Sequence, residues 1–85
     1  MSWNERIYAD ERLTHRARTV YMYLRDRADA DGKCWPCVKR IASDPHLSRR
    51  TAQRALADLE QAGYIRRDER FRENGSRTSN LYTIQ

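Results

Sequence analysis

Residues 37–63 hold the pattern that most limits how this chain can fold: a short helical segment, a four-residue break, and a longer helix marked at both ends. In the longer one, Ser48 is a good N-cap and Gly63 a good residue just past the C-terminus. Ala52, Ala55, Leu56 and Leu59 follow the i, i+3, i+4, i+7 spacing of a single buried face. The segment before it predicts a helix over Val38 to Ser43, with Cys37 near its cap and Ile41 and Ala42 turned inward. Pro45 should end that helix, because its ring withholds a backbone donor and crowds the preceding turn. Asp44 to Leu47 alone separate the two segments, which is a helix-turn-helix spacing.

The charges on the longer helix run against its dipole. Its first half carries Arg49, Arg50 and Arg54 and no acid; its second half carries Asp58 and Glu60 and no base. A helix favours acids first and bases last by a few tenths of a kcal/mol per charge, so stability alone would not write it this way. Arg50, Arg54, Ala57 and Gln61 fall opposite the apolar face at about 100° per residue. Cations at a helix start suit a polyanion, and the start of a recognition helix in a DNA major groove meets one. Arginine can donate bidentately to guanine and glutamine to adenine. A solvated, arginine-rich surface helix is the plain alternative.

Eighty-five residues allow one small domain. The chain is polar, with a mean hydropathy of −1.03, yet its hydrophobic 39% is periodically placed, which favours a fold with a thin core over disorder. The net charge of +5 suits an anionic partner, and the surplus is uneven. Residues 1–36 hold seven bases and six acids, residues 37–85 ten and six. Nothing approaches the roughly 18 apolar residues of a membrane span, and no signal-peptide core follows Met1. A cytoplasmic protein with no membrane partner is expected.

Residues 1–12 read as an N-terminal arm anchored by Trp3, Ile7 and Tyr8, and residues 13–85 as the domain proper. Leu13-Thr14 resembles a staple residue followed by an N-cap. A helix from about His15 to Asp29 follows, with Ala17, Val20, Tyr21, Leu24 and Ala28 on one stripe; Met22 falls on the opposite face and Tyr23 near the edge of the stripe, as exposed apolar groups. Asp29 to Gly32 form a turn, and Trp35-Pro36 an extended piece with Trp35 on the core. After Gly63, Tyr64 to Arg72 and Ser79 to Ile84 are rich in β-formers around Asn74-Gly75, the strongest short hairpin signal. The hairpin is basic, carrying Arg66, Arg67, Arg70, Arg72 and Arg77. It can lie along a phosphate backbone, or the same arginines can protect a solvated sheet edge. The expected fold class is mainly α with a C-terminal β-hairpin: a winged helix-turn-helix, with a three-helix core plus wing.

Leu13-Thr14, Ala17, Val20-Tyr21 and Leu24, then Gly32-Lys33-Cys34-Trp35-Pro36, Ile41-Ala42 and Leu47-Ser48-Arg49-Arg50-Thr51 form the first part of an ordered set. Arg54-Ala55-Leu56, Leu59-Glu60, Gly63-Tyr64-Ile65 and Thr78-Ser79-Asn80-Leu81-Tyr82 complete it. Over about residues 13–84 this set resembles the small helix-turn-helix domains of bacterial, plasmid and phage DNA-binding proteins, replication initiators among them. The resemblance implies double-stranded DNA binding, with the third helix in the major groove and the wing on the backbone. This chain departs from the pattern in the turn, where related domains often have glycine in place of His46 and a helical residue in place of Pro45; a shorter second helix and tighter turn are expected. Cys37 stands where Ser often follows the Trp-Pro pair.

Cys34-Trp35-Pro36-Cys37 is a C-x-x-C without the setting that gives it chemistry. A redox pair of the thioredoxin type needs a βαβ context, and a structural zinc site needs four ligands, whereas His15 and His46 sit at spacings of no standard finger. The expected reading is a pair of semi-buried, reduced thiols, with both histidines ordinary surface residues. No clustered carboxylates, nucleophile–base pair or glycine-rich phosphate loop is present. No enzyme activity, cofactor, metal or small-molecule ligand is expected.

For DNA, Arg50, Gln53 and Arg54 are the candidates for reading base edges, and Arg49 and Thr51 for phosphate or adjacent bases. Lys39 and Arg40 could grip the backbone beside the groove; Arg70, Arg72, Asn74 and Arg77 are the wing candidates. Transcriptional regulation is the first functional reading. Origin recognition for a plasmid, phage or other mobile element is the alternative within the class, and a winged helix serving only protein interaction is the rival outside it. A homodimer is left open, with Met22, Tyr23 and the arm as its candidate contacts.

Overall fold

A computed structural model of the chain describes Ile7, residues 9–11 and 13–70, Gly75 and residues 80–85. Among these the order is α1 (His15–Arg27), β1 (Lys33–Cys34), α2 (Val38–Ser43), α3 (Arg49–Gln61), β2 (Ile65–Asp68) and β3 (Leu81–Ile84). The architecture is a winged helix-turn-helix: three helices packed on one another, with a C-terminal antiparallel hairpin. No helix among the described residues is long and apolar enough to cross a membrane.

Each of the two long helices starts on a hydroxyl cap. Thr14 accepts from the Ala17 amide and Ser48 from the Thr51 amide, both at 3.1 Å, which satisfies one orphan donor at each helix start. Ala17, Val20, Tyr21 and Leu24 of α1 are buried against Ala52, Ala55, Leu56 and Leu59 of α3 in one core that also takes in Ile41 and Ala42 of α2. The alanines on the buried side of α3 keep its surface flat, so α1 and α2 can approach its backbone. Ile7 is fully buried in the same core. The Arg18 guanidinium donates to the carbonyls of Ile7 and Asp10, at 3.2 and 2.9 Å, and Tyr64 Oη donates to Asp10 Oδ2 at 2.9 Å. The described part of the arm is therefore fastened to the body; Trp3 and Tyr8 lie outside the described residues.

Helices α2 and α3 end by the same closure. At α3, the Tyr64 amide donates to the Leu59 carbonyl and Gly63 to Glu60, with Gly63 at φ +82°. At α2, the Leu47 amide donates to Ala42 and His46 to Ser43, with His46 at φ +61°. Both are Schellman-type ends, which need one left-handed residue. His46 therefore occupies the position where related domains often have glycine. It reverses the chain directly after Pro45, and the helix before it is short, as the departure predicted.

The sheet differs from the expected two-stranded hairpin: it has three strands in the order β1-β3-β2, all antiparallel. Cys34 pairs with Tyr82, and Arg67 pairs with Tyr82 from the other side. A two-residue strand is too short to show alternation, so β1 becomes visible only once β3 supplies its partner. Helix α1 stops at Arg27, two residues early. Asp29 Oδ1 accepts from the Asp31 and Lys33 amides at 2.9 and 3.0 Å, holding residues 29–33 in a turn that a continuing helix could not make. Met22 and Tyr23, expected to be exposed, are half-buried against the core.

Candidate nucleic-acid interface

The first turn of α3 projects from the end of the turn that follows α2, and no acidic residue lies in it. Arg49, Arg50, Gln53 and Arg54 are all exposed. Among the described residues none of the three arginines has a carboxylate within ion-pair distance, and Asp58, one turn along from Arg54, makes no pair with it. The acids of the C-terminal half behave differently: Glu60 Oε1 receives the Arg67 guanidinium of β2 at 3.2 Å. Thus α3 joins its acidic end to the wing and leaves its basic end open. Thr51 is half-buried and committed to the cap, its Oγ1 accepting from Ser48 Oγ at 2.8 Å. Lys39 and Arg40 are exposed on α2, the neighbouring helix of the motif.

The wing arginines are not equivalent. Arg66 pairs with Asp68 at 3.2 Å and Arg67 with Glu60, so both guanidinium charges are matched. Arg70 instead lies over the Trp35 ring, 5.7 Å from its centroid. Arg72, Asn74 and Arg77 lie outside the described residues. Gly75 has φ +86°, a left-handed conformation that glycine adopts without strain.

Two features near the interface leave no mark in the sequence pattern. Tyr23 Oη on α1 donates to Asp44 Oδ2 at 2.7 Å, and Arg27 both reaches that carboxylate at 3.4 Å and lies 5.3 Å from the Tyr23 ring centroid. This group ties α1 to the turn that aims α3. Burial first, then the hydrogen bond to Asp44 and its charge, pushes the Tyr23 hydroxyl above its ordinary pKa. The partners stand 21 residues apart in sequence, and no spacing rule joins them. The second is Trp35, which is 54% exposed and does not pack on the core. Cys34 takes the inward position and Trp35 follows it on the opposite side, as strand alternation requires.

The two thiols are unlike each other, not jointly semi-buried: Cys34 is buried and Cys37 exposed at the α2 N-cap. Burial, with the Asp29 charge second, pushes the Cys34 thiol up to about 11. A redox nucleophile needs the opposite shift.

A profile of the helix-turn-helix domain family matches residues 11–65, from before α1 to the first residue of β2. The chain belongs to the helix-turn-helix domain family. Membership supports DNA binding. Among solved structures, the fold is similar to a possible transcriptional regulator from Methanosarcina mazei Go1, with a TM-score of 0.67 and 19% identity. The alignment covers 86% of this chain and 57% of that one, so this chain spans little more than half of its neighbour's length. No curated protein matches the sequence significantly.

Proposed function

We propose that this helix-turn-helix domain binds double-stranded DNA as a transcriptional regulator, with the start of α3 in the major groove and the β2–β3 wing along the backbone. The observation that carries the reading is the basic end of α3, where three exposed arginines stand unmatched beside the unsatisfied amides of a helix start. Both features raise the local positive potential, and both are relieved by an anion there. Arg50, Gln53 and Arg54 present donors for base edges; Arg49, with Lys39 and Arg40 on α2, presents cations for phosphate. Thr51 acts from the cap: its amide is spent on Ser48 Oγ, whereas its hydroxyl, which accepts from Ser48 Oγ, keeps its own proton to donate to a neighbouring phosphate or base. Arg70, Arg72, Asn74 and Arg77 are the wing's contribution. The regulatory half of the reading draws its support from the structural neighbour's description.

Selection from random duplexes tests the proposal. The expected result is an enriched motif bound with a log–log salt slope of about −4 to −5, from four to six phosphate contacts. An inverted repeat with half-sites about one helical turn apart would mean a two-fold dimer. Weak, non-saturating binding at physiological salt with no enriched motif would overturn the proposal and favour a protein-interaction module.

A further inference from the structure

Trp35 is the one large hydrophobic residue that stands exposed among the described residues. Scattered exposed apolar residues are ordinary, but this one is held in place. Cys34 before it is buried and paired to Tyr82, and Pro36 after it has a fixed φ. Antiparallel pairing of β1 and β2 with the same central strand makes those two outer strands run in the same direction on either side of β3, with Cys34 and Arg67 both level with Tyr82. Residues one step past Cys34 and a few steps past Arg67 therefore lie at the same end of the sheet, at the root of the wing, where long side chains reach each other across β3. There the Arg70 guanidinium carbon lies 5.7 Å from the Trp35 ring centroid.

The kind of contact matters. A carboxylate partner, such as Arg66 and Arg67 have, cancels a guanidinium's charge and occupies its donors. An aromatic face does neither: it attracts the cation through the ring quadrupole and leaves the charge and the in-plane N–H groups to another partner. Of the three described wing arginines, the one seated on an aromatic ring is also the one without a carboxylate. We infer that Trp35 is a positioning residue for DNA binding, an aromatic seat that holds Arg70 at the wing root with its charge open to a backbone phosphate.

This inference rests on the DNA-binding reading, and the test separates the two. Duplex affinity and its salt dependence are measured for the wild-type chain and for Trp35→Leu, Trp35→Phe, Arg70→Ala and the Trp35→Leu/Arg70→Ala double variant. Seating an exposed cation on a ring corresponds to about a 2- to 5-fold effect in affinity. Trp35→Leu should weaken binding by about that factor and flatten the salt slope toward that of Arg70→Ala, which should lose about 0.9. Trp35→Phe, which keeps a ring, should recover most of the affinity. In the Arg70→Ala background, Trp35→Leu should then change nothing further. Additive losses, or a lower Tm with the salt slope intact, would overturn the inference and make Trp35 merely structural. Failure of the wild-type chain to bind any duplex would instead overturn the DNA-binding reading, and the seat with it.

Discussion

Helices α1 and α3 are built to the same plan and use their charges in opposite ways. Each has 13 residues, starts on a hydroxyl cap at 3.1 Å, has no acid in its first turn and buries four residues. In α1 the described contacts account for most of the arginines near the core. Arg18 holds two backbone carbonyls of the arm, Arg27 meets Asp44, and Arg25 and Arg27 stand in the last turn, where the dipole favours cations. In α3 the last turn has no base, and the arginines of the first half touch no carboxylate among the described residues. Folding explains Arg18, Arg25 and Arg27 of α1 and leaves only the exposed Arg16 of its first turn, whereas all three arginines of α3 are left for a partner to explain.

In packing, where the largest effects lie, the two helices should be alike. Leu24→Ala and Leu59→Ala, both fully buried, should each cost about 2–5 kcal/mol in urea unfolding. A large inequality would mean that one helix is only loosely docked.

Next come the arginines, where the helices should part. Arg50→Ala should lose about 1–3 kcal/mol of duplex affinity and blur the selected motif, with little change in Tm. Arg18→Ala should do the reverse, losing about 1–3 kcal/mol of folding stability while the folded protein keeps its motif. Smaller effects sharpen the picture. His46→Gly at φ +61° should raise stability by about 0.5–1 kcal/mol, because glycine takes the left-handed position without the Cβ clash; calorimetry reads it. Arg49→Glu should stabilise the fold by about 0.3–1 kcal/mol through the dipole while weakening DNA binding. A variant that is both more stable and less active would show that the reversed charges serve a partner at the fold's expense.

Much of this was legible in the sequence because caps and periodicity are local. Ser48, Gly63 and the apolar stripe between them set the ends and the inner face of α3, and Pro45-His46 marked the turn. What lay hidden depended on partners distant along the chain. Strand β1 has two residues and exists through β3. The end of α1 is decided by a side chain of Asp29 folding back on two amides. Trp35 beside a proline and a buried cysteine read as core; only the inward assignment of Cys34 turns the ring outward by alternation. The Tyr23–Asp44 contact leaves no trace in spacing at all. At the site, the exposure of Arg50 and Arg54 followed from helical phase, and that of Arg49, which shares the phase of the buried stripe, from its place as the first residue of α3; the different partners of Arg66, Arg67 and Arg70 required the sheet register.

The central claim is that the basic start of α3 meets the duplex, and amide and guanidinium NMR shifts during a duplex titration at low salt test it most directly. The largest changes should fall on Arg49, Arg50, Gln53 and Arg54, with the Arg18 guanidinium and the middle of α1 nearly still. Shifts concentrated on α1, with the α3 arginines unmoved while the duplex is bound, would contradict it.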